Sequence, residues 1–550
     1  MKKKKWIVTA AVLLLPILFL IYYFTLPVFN LHDRRTWHLL MSAFAVVMLL
    51  IFAKLSKKKA KTAFDPRNRV HISDIKSYLK SLTLPLKLMV AAGLVLIGIY
   101  LVGNILSSPL VNAKRYQALL PVETKDFSTD VSEISLRNVP TLDKDSSIKL
   151  GARKMGGLVN MVSQFEVSED YTQINYQGKP YRVSPLEYAS KIKWLTNQSE
   201  GIPGYMLVDM TSQDVTFVQL EQRIKYSPTE LFNRNIYRHL RFSYPTAIFD
   251  QINFEIDDEG TPYWVCPVKD YRIGLFGGEV IGSVVLCNAQ TGETTKYALA
   301  DCPNWVDRVF SAEMLTGLYD YHGKLRHGYF NSILGQKDCL VTTEGYNYLA
   351  LDDDVWVYTG ITSVNKDESI VGFILMNQRT MESRYYEVSG AKEMSAMDSA
   401  QGQVQHLNYQ ATFPLLLNIN NEPTYFITLK DQAGLVKMYA LVNVEKYQIV
   451  ATGETVTACE TAYRNLLSSS GLVEEIKAEE ADGQGKVEAL ESIIIDGDTH
   501  YFIKLEKDDR LYDIAVVDMP TAVFKVKIGE TIRFRYQNGA GVQKIIELKE

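Results

Sequence analysis

The sequence predicts an α+β protein: three N-terminal transmembrane helices followed by several antiparallel β-sheet and helix modules outside the membrane. Three observations carry this expectation. Long, predominantly apolar stretches without Asp, Glu, Lys or Arg are confined to residues 6–113, a two-strand pattern recurs through the remainder, and amphipathic helical segments separate its copies.

The charge-free stretches run from Trp6 to His32, Thr36 to Ala53 and Leu88 to Ala113, each near or above the about 20 residues a helix needs to span a hydrocarbon core. Helices are expected at about 6–29, 36–54 and 87–108. The first is too long for a signal-peptide core of about 7–15 residues and ends without a small-residue cleavage site, so it reads as a retained anchor. Residues 1–106 hold 16 Lys+Arg against 3 Asp, net +13, and residues 107–550 carry −17; the total of −4 describes neither part. Lys2, Lys3, Lys4 and Lys5 precede the first span and Lys57, Lys58, Lys59 and Lys61 follow the second, whereas the short 30–36 turn holds Arg34 and Arg35. Lys and Arg near helix ends resist translocation, which places the N-terminus in the cytoplasm and residues from about 107 outside. Between the second and third spans, Ile75, Tyr78, Leu79 and Leu82 recur at helical spacing beside Lys76 and Lys80, predicting a helix in the inner interface on anionic lipid. His38 is the one ionisable side chain within a span and lies near its end, which favours an anchor over a conduction path.

Residues 107–145 are polar, contain Pro109, Pro121 and Pro140, and read as a stalk. Beyond it the clearest copy of the two-strand pattern is Phe254-Glu-Ile-Asp-Asp-Glu-Gly260-Thr-Pro262-Tyr263-Trp264-Val265, then Gly282 to Asn288 and Thr291-Gly292-Glu293. Asp-Glu-Gly and Gln-Thr-Gly supply the φ > 0 positions of tight turns, and β-branched and aromatic residues supply the strands. The same grammar appears in Gly178 to Val183 with Gly204 to Asp209, and in Asn421 to Leu429 with Gly434 to Asn443; looser copies occupy 346–388 and 493–526. Helices are expected at 227–239, which starts with Ser-Pro-Thr-Glu, at 304–320, and at 456–467 before Ser468-Ser-Ser-Gly471. The resulting divisions are an anchor at 1–106, the stalk at 107–145, and modules at 146–245, 246–340, 341–400, 401–470 and 471–550. Their irregular spacing argues against a regular solenoid or propeller.

The Asp-Glu-Gly-x-Pro-Tyr-x-Val strand with its partner ending Asn-x-x-Thr-Gly-Glu resembles the signature of PepSY-type domains, small α+β modules found outside bacterial membranes. That resemblance covers the second and third such modules, at 246–340 and 401–470, and less closely the first. The chain as a whole also resembles a family of membrane-anchored proteins of Gram-positive bacteria, sometimes labelled colicin V production-like, through Pro185-Leu-Glu-Tyr188, Phe254-Glu-Ile-Asp257 and Gly434-Leu-Val-Lys-Met-Tyr439. Neither resemblance implies a catalytic residue.

No Gly-x-Ser-x-Gly elbow, His-Glu-x-x-His or phosphate-binding Gly-rich loop occurs in the sequence. Asp352, Asp353 and Asp354 form the sharpest carboxylate cluster; they are weak candidates for a divalent cation, set against a hairpin turn, because the Gly and distal Glu of a calcium loop are missing. His322 and His327 lack neighbouring Cys or carboxylate ligands. The five cysteines lie at 266, 287, 302, 339 and 459, with Cys266 and Cys287 on the two strands of the clearest copy, where they could pair, with Cys287–Cys302 the rival pairing, or stay buried thiols. No cofactor is indicated, and the outward location and negative charge exclude nucleic acid as a partner. The expected partners are the lipid bilayer and an envelope protein, peptide or wall polymer, bound by a non-catalytic outer part. Two other expectations stand beside it: a membrane-complex partner or sensor whose helices carry the interaction, and an envelope hydrolase with dispersed catalytic residues.

Overall fold

A computed structural model describes residues 15–56, 84–133, 136, 139–351, 353–364, 369–472, 480–495, 498–537 and 542–549. Lys2 to Lys5, Lys57 to Lys59, Lys61, the 73–82 interface helix and Asp352 lie outside the described residues.

Among the described residues two helices are long and apolar enough to cross a membrane, Arg34–Ser56 and Leu84–Leu106. Three were expected; of the first, the described part is the shorter apolar helix Leu15–Thr25. The long pair is apolar on its outer faces, with Leu49, Leu50 and Leu94 all about two-thirds exposed, as lipid-facing side chains are. Gly93 lets the two helices approach, since a Cβ there would meet the Phe44 ring at 2.8 Å.

Beyond the long helices, four larger sheets follow in chain order among the described residues, alternating with helices, besides a two-stranded pairing of Ser369–Ile370 with Gly390–Ala391 and a C-terminal barrel. The first comprises Phe165–Val167, Thr172–Tyr176, Lys179–Tyr188, Ile202–Asp209 and Val215–Ile224. Asn253–Ile256, Pro262–Ile273, Gly277–Asn288 and Thr294–Ala298 form the second. The third is built on Asn347–Leu351, Asp354–Ser363, Gly372–Asn377 and Ser383–Tyr386, and the fourth on Leu415–Ile419, Glu422–Lys430, Val436–Asn443 and Val450–Gly453. Helices Lys144–Gly156, Ile236–Ser243, Ala312–Lys324, Glu393–Gln403 and Val456–Ser469 stand before, between and after them.

These sheets are copies of one another down to single hydrogen bonds. In each, the residue after the second hairpin's turn-forming Asp or Asn donates its N–H back to the start of the long strand: Met210 to Pro180, Ala289 to Pro262, Gln378 to Val355 and Val444 to Pro423, at 3.0–3.1 Å. The turn itself is an Asx loop, because Asp and Asn side chains accept local N–H groups. Asp209 accepts from Thr211 and Ser212, Asn288 from Gln290 and Thr291, and Asn377 from Arg379 and Thr380, all at 2.7–3.0 Å. Four residues further on the chain is left-handed in three copies, at Gln213, Gly292 and Met381. The first hairpins of two copies use two-residue loops with both φ values positive, Gln177-Gly178 and Asn420-Asn421, which match the twist of the strands.

Alternation sends the two faces of each inner sheet into different cores. Trp264, Cys266, Val285 and Cys287 pack with the first sheet and helix Ile236–Ser243, whereas Val265, Val284 and Leu286 pack with helix Ala312–Lys324 and Val357, Ile374 and Met376 of the third sheet. Trp356, Tyr358, Phe373 and Leu375, on the third sheet's other face, join the fourth sheet and its helices.

Four expectations are corrected. The 107–145 segment is not a stalk: it contains helix Pro109–Gln117, pairs Glu123–Lys125 in parallel with Arg384 to Tyr386, and buries Leu120, Phe127 and Val139 in the main cores. The helix expected at 304–320 begins at Ala312, where Ser311 accepts the Met314 N–H; Val306, Val309 and Phe310 are buried in the irregular approach. In place of a helix from Ser227, Ser227 caps a turn by accepting the Glu230 N–H at 3.1 Å, and the helix starts at Ile236 behind Asn235. The 493–526 copy belongs instead to a closed five-stranded barrel, Glu480–Ile495, Asp498–Leu505, Leu511–Ala515, Thr531–Gln537 and Val542–Lys549. Its first strand pairs with the second and fourth, its third runs parallel to the fifth, and the short helix Ala522–Lys525 joins third to fourth. That is the connectivity of an OB-type Greek-key barrel.

The N-terminal helices and the sheets meet in two places. In one, Phe29 donates its N–H to the Pro245 carbonyl at 3.0 Å and Asn30 its side-chain amide to the Thr246 carbonyl at 2.9 Å; the other is a joint at Ser107. Ser107, 3% exposed at the end of the last span, accepts the N–H groups of Leu275 and Phe276 at 2.8 and 2.9 Å from the tip of the second sheet's long hairpin. Gly277 is required there, since a Cβ would meet the Ser107 carbonyl at 2.2 Å. The ring of Phe276 packs edge-on against Trp37 and Tyr100 of the two spans.

Candidate functional site

The long strand of the first sheet, Lys179–Tyr188, carries an anomaly. Aligned on the shared hydrogen bond, the positions two residues after Pro180, Pro262, Val355 and Pro423 are Arg182, Trp264, Val357 and Tyr425, all buried. Three copies fill this core position with an apolar or aromatic side chain; the first places a guanidinium there.

Arg182 lines a cavity of about 340 Å³ where the first sheet meets the second and third, together with Gln173, Phe254, Trp264, Arg308 and Tyr348. The strands fix these side chains, because all but Arg308 sit on paired backbone. Arg182 is 5% exposed; its Nη2 donates to Gln173 Oε1 at 3.2 Å, and its Nε has no partner among the described residues. Gln173 Nε2 and Arg308 Nε are also buried without partners there. Burial lowers the Arg182 guanidinium to about 10, which leaves it charged at neutral pH. Polar rim groups differ in sign: Asp170, Glu187 and Glu313 lie around the cavity with Lys144, which reaches Asp170 at 3.7 Å. Burial raises the Glu187 carboxyl, and its neighbours Asp170, Glu166 and Glu169 push the same way against a bond from Ser168.

Behind the cavity sits a buried carboxyl pair. Glu255, fully buried on the second sheet, accepts the N–H groups of Asp307 and Arg308 at 2.8 and 3.1 Å and so holds the Arg308 backbone in place. Burial pushes Glu255 up to about 7 despite those bonds. Burial and the nearby Glu255 drive Asp307 well above the carboxylate range, although its Oδ2 accepts the Asn175 N–H at 2.6 Å.

Of the Asp cluster, the described Asp353 and Asp354 do not converge on a cation site. Asp354 takes Arg379 in a two-pronged ion pair at 2.6 and 2.8 Å and a bond from Asn377, while Asp353 occupies the hairpin turn with φ 63° and accepts from Asn175 at 3.0 Å. Among the described residues no group of three or more His, Cys, Asp or Glu is arranged to hold a metal ion. Cys266 and Cys287 are buried free thiols. The register pairs Cys266 with Val285 and Cys287 with Trp264, so the two sit diagonally, about 7–8 Å apart in such ladders, beyond disulfide reach. His322 and His327 bond to different places, the Gln117 carbonyl and Asp338. The described lining of the cavity contains no His or Cys; it offers buried cations, aromatic walls and an acidic rim.

In the sequence Arg182 falls within the Gly178 to Val183 strand and belongs to no motif of its own. The signal was present, as a charged residue at a position where the other copies carry core residues.

No protein-family model and no curated protein sequence matches this chain. Among solved structures it is similar to an alpha-L-arabinanase of Cellvibrio cellulosa, in mutant and unmutated form, at 11% and 12% identity over 70% and 68% of this chain and 95% and 94% of that one, with TM-scores of 0.16. A levansucrase of B. megaterium is similar at 6% identity over 80% of this chain and 95% of that one, also with a TM-score of 0.16.

Proposed function

We propose that this chain is a multi-pass protein of the cell membrane, N-terminus cytoplasmic, whose outer part is a non-catalytic binding or scaffolding module for an envelope protein, peptide or wall polymer. The observation that carries this reading is the cavity, where a buried guanidinium without an ion-pair partner among the described residues faces aromatic walls. Two long lipid-type helices and the basic flanks Lys2 to Lys5 and Lys57 to Lys61 support the membrane placement. The helix-flanked meanders with Asx loops support kinship with PepSY-type modules. A photocrosslinking residue in place of Tyr348, expressed in living cells, tests it: a discrete adduct is expected from the cavity and none from an equivalent substitution at exposed Val159. Equal adducts from both positions, or none from the cavity, refute it.

A second reading, a membrane-complex partner or sensor, is favoured by the joint at Ser107, which ties hairpin 273–277 to the spans. Replacing residues 1–106 with an unrelated anchor abolishes function under this reading and preserves it under the first.

A further inference from the structure

Four observations about the cavity point to its ligand. The floor is cationic: Arg182 and Arg308 both line it, and Arg182 is 95% removed from solvent. A guanidinium offers five donors in a planar fork, yet the one bond from Arg182 to a lining side chain is the 3.2 Å contact with Gln173, and three buried N–H-bearing atoms of the lining, on Arg182, Gln173 and Arg308, have no partner among the described residues. Burying such a cation unpaired costs free energy that nothing in the core recovers, and the fold does not require it, because the equivalent positions hold Trp264, Val357 and Tyr425. Meanwhile the exposed rim is acidic, with Asp170 and Glu313 open to solvent and Glu187 half-buried beside them; Lys144 is the one rim cation in the described lining.

We infer that the cavity binds a zwitterionic ligand of amino-acid to dipeptide size, its carboxylate seated on Arg182 and Arg308 and its ammonium group among Asp170, Glu187 and Glu313. A carboxylate matches the guanidinium fork in two parallel bonds and would satisfy the orphaned donors. The volume of about 340 Å³ lies in the range of small-ligand sites, and Phe254, Trp264 and Tyr348 supply the apolar walls for a side chain. A phosphate would satisfy the floor equally but meets the acidic rim with the wrong sign. The inference rests on the binding reading above and names its ligand class.

Thermal-shift and calorimetric titration of the purified full chain in detergent tests it, with a dipeptide panel spanning apolar, aromatic, acidic and basic side chains, the N-acetylated and C-amidated forms of each, and pyrophosphate. The expected result is saturable binding of at least one free dipeptide at millimolar concentration or below, weakened at least tenfold by either cap. Arg182→Met is expected to abolish that binding while leaving the ligand-free melting temperature equal or higher, since it removes an unpaired buried charge; Arg308→Gln, at a half-exposed position, weakens binding independently. Binding of pyrophosphate alone, binding of the amidated form as tight as the free one, no binding across the panel, or a lower ligand-free melting temperature in Arg182→Met overturns the inference. If Tyr348 crosslinking still captures an envelope component while the panel fails, the binding reading stands and this ligand class falls; failure of both removes both.

Discussion

Ser107→Ala deletes one hydroxyl from the joint between anchor and outer sheets, and its effect can be worked from the bonds it breaks. The hydroxyl accepts two backbone N–H groups, those of Leu275 and Phe276, and neither has a strand partner in the hairpin tip. A buried donor left unpaired costs about 1–3 kcal/mol; with partial access of water to the tip, the pair amounts to about 2–4 kcal/mol. Since each 1.4 kcal/mol is about tenfold in an equilibrium, amide protection at Leu275 and Phe276 is expected to fall by roughly 30- to 700-fold. The loss should stay local, because the strands below the tip keep their ladder from Ile273–Gly277 onward. Hydrogen exchange read by mass spectrometry on the full chain in lipid nanodiscs measures this, with the peptide over 430–440 as internal control. Unchanged exchange at the tip, or equal loss in the control peptide, would refute the view that Ser107 holds the hairpin to the spans.

Three further outcomes follow from the same structure. The Glu255 carboxyl, raised by burial from 4.5 to about 7, stabilises the fold fully below pH 4.5 and loses that contribution as pH rises through 7, about 3 kcal/mol in all; Glu255→Gln should flatten that loss in thermal melts between pH 4.5 and 7.5, and an unaltered slope contradicts its assignment to Glu255. Gln177, exposed with φ 53° in a two-residue hairpin loop, bears a left-handed strain of about 1 kcal/mol that Gln177→Gly should relieve, raising the denaturant midpoint rather than lowering it. Arg379→Ala strands the buried Asp354 carboxylate and should cost about 3–5 kcal/mol, most of it recovered by adding Asp354→Asn; a double variant as unstable as the single one would show that the loss lies elsewhere.

Strand and turn chemistry was legible in the sequence because it is local. Gly178, Gly260 and Gly292 mark positive-φ turns, and Asp209, Asn288 and Asn377 mark the Asx loops, so the copies could be found before their sheets were seen. Closure is not local. The 493–526 segment has the same alternation as a sheet copy, and what makes it a barrel is the pairing of Glu480 to Lys486 with Thr531 to Gln537, about 50 residues away. The 107–145 segment misled for a related reason: its prolines and polar residues describe a loop, while Leu120, Phe127 and Val139 are buried by sheets formed more than 100 residues later. Arg182 required both kinds of information, the local pattern to align the copies and the packing to show that its position is interior.

The central claim is an outward-facing module with a ligand cavity, and the direction in which that cavity faces decides whether any envelope component can reach it. All five native cysteines are buried, so Asp170→Cys, on a rim side chain that is 85% exposed, adds one accessible thiol. A membrane-impermeant maleimide applied to intact cells should label this variant as fully as it does after lysis, and the parent chain in neither case. Labelling that appears only after lysis would contradict the account.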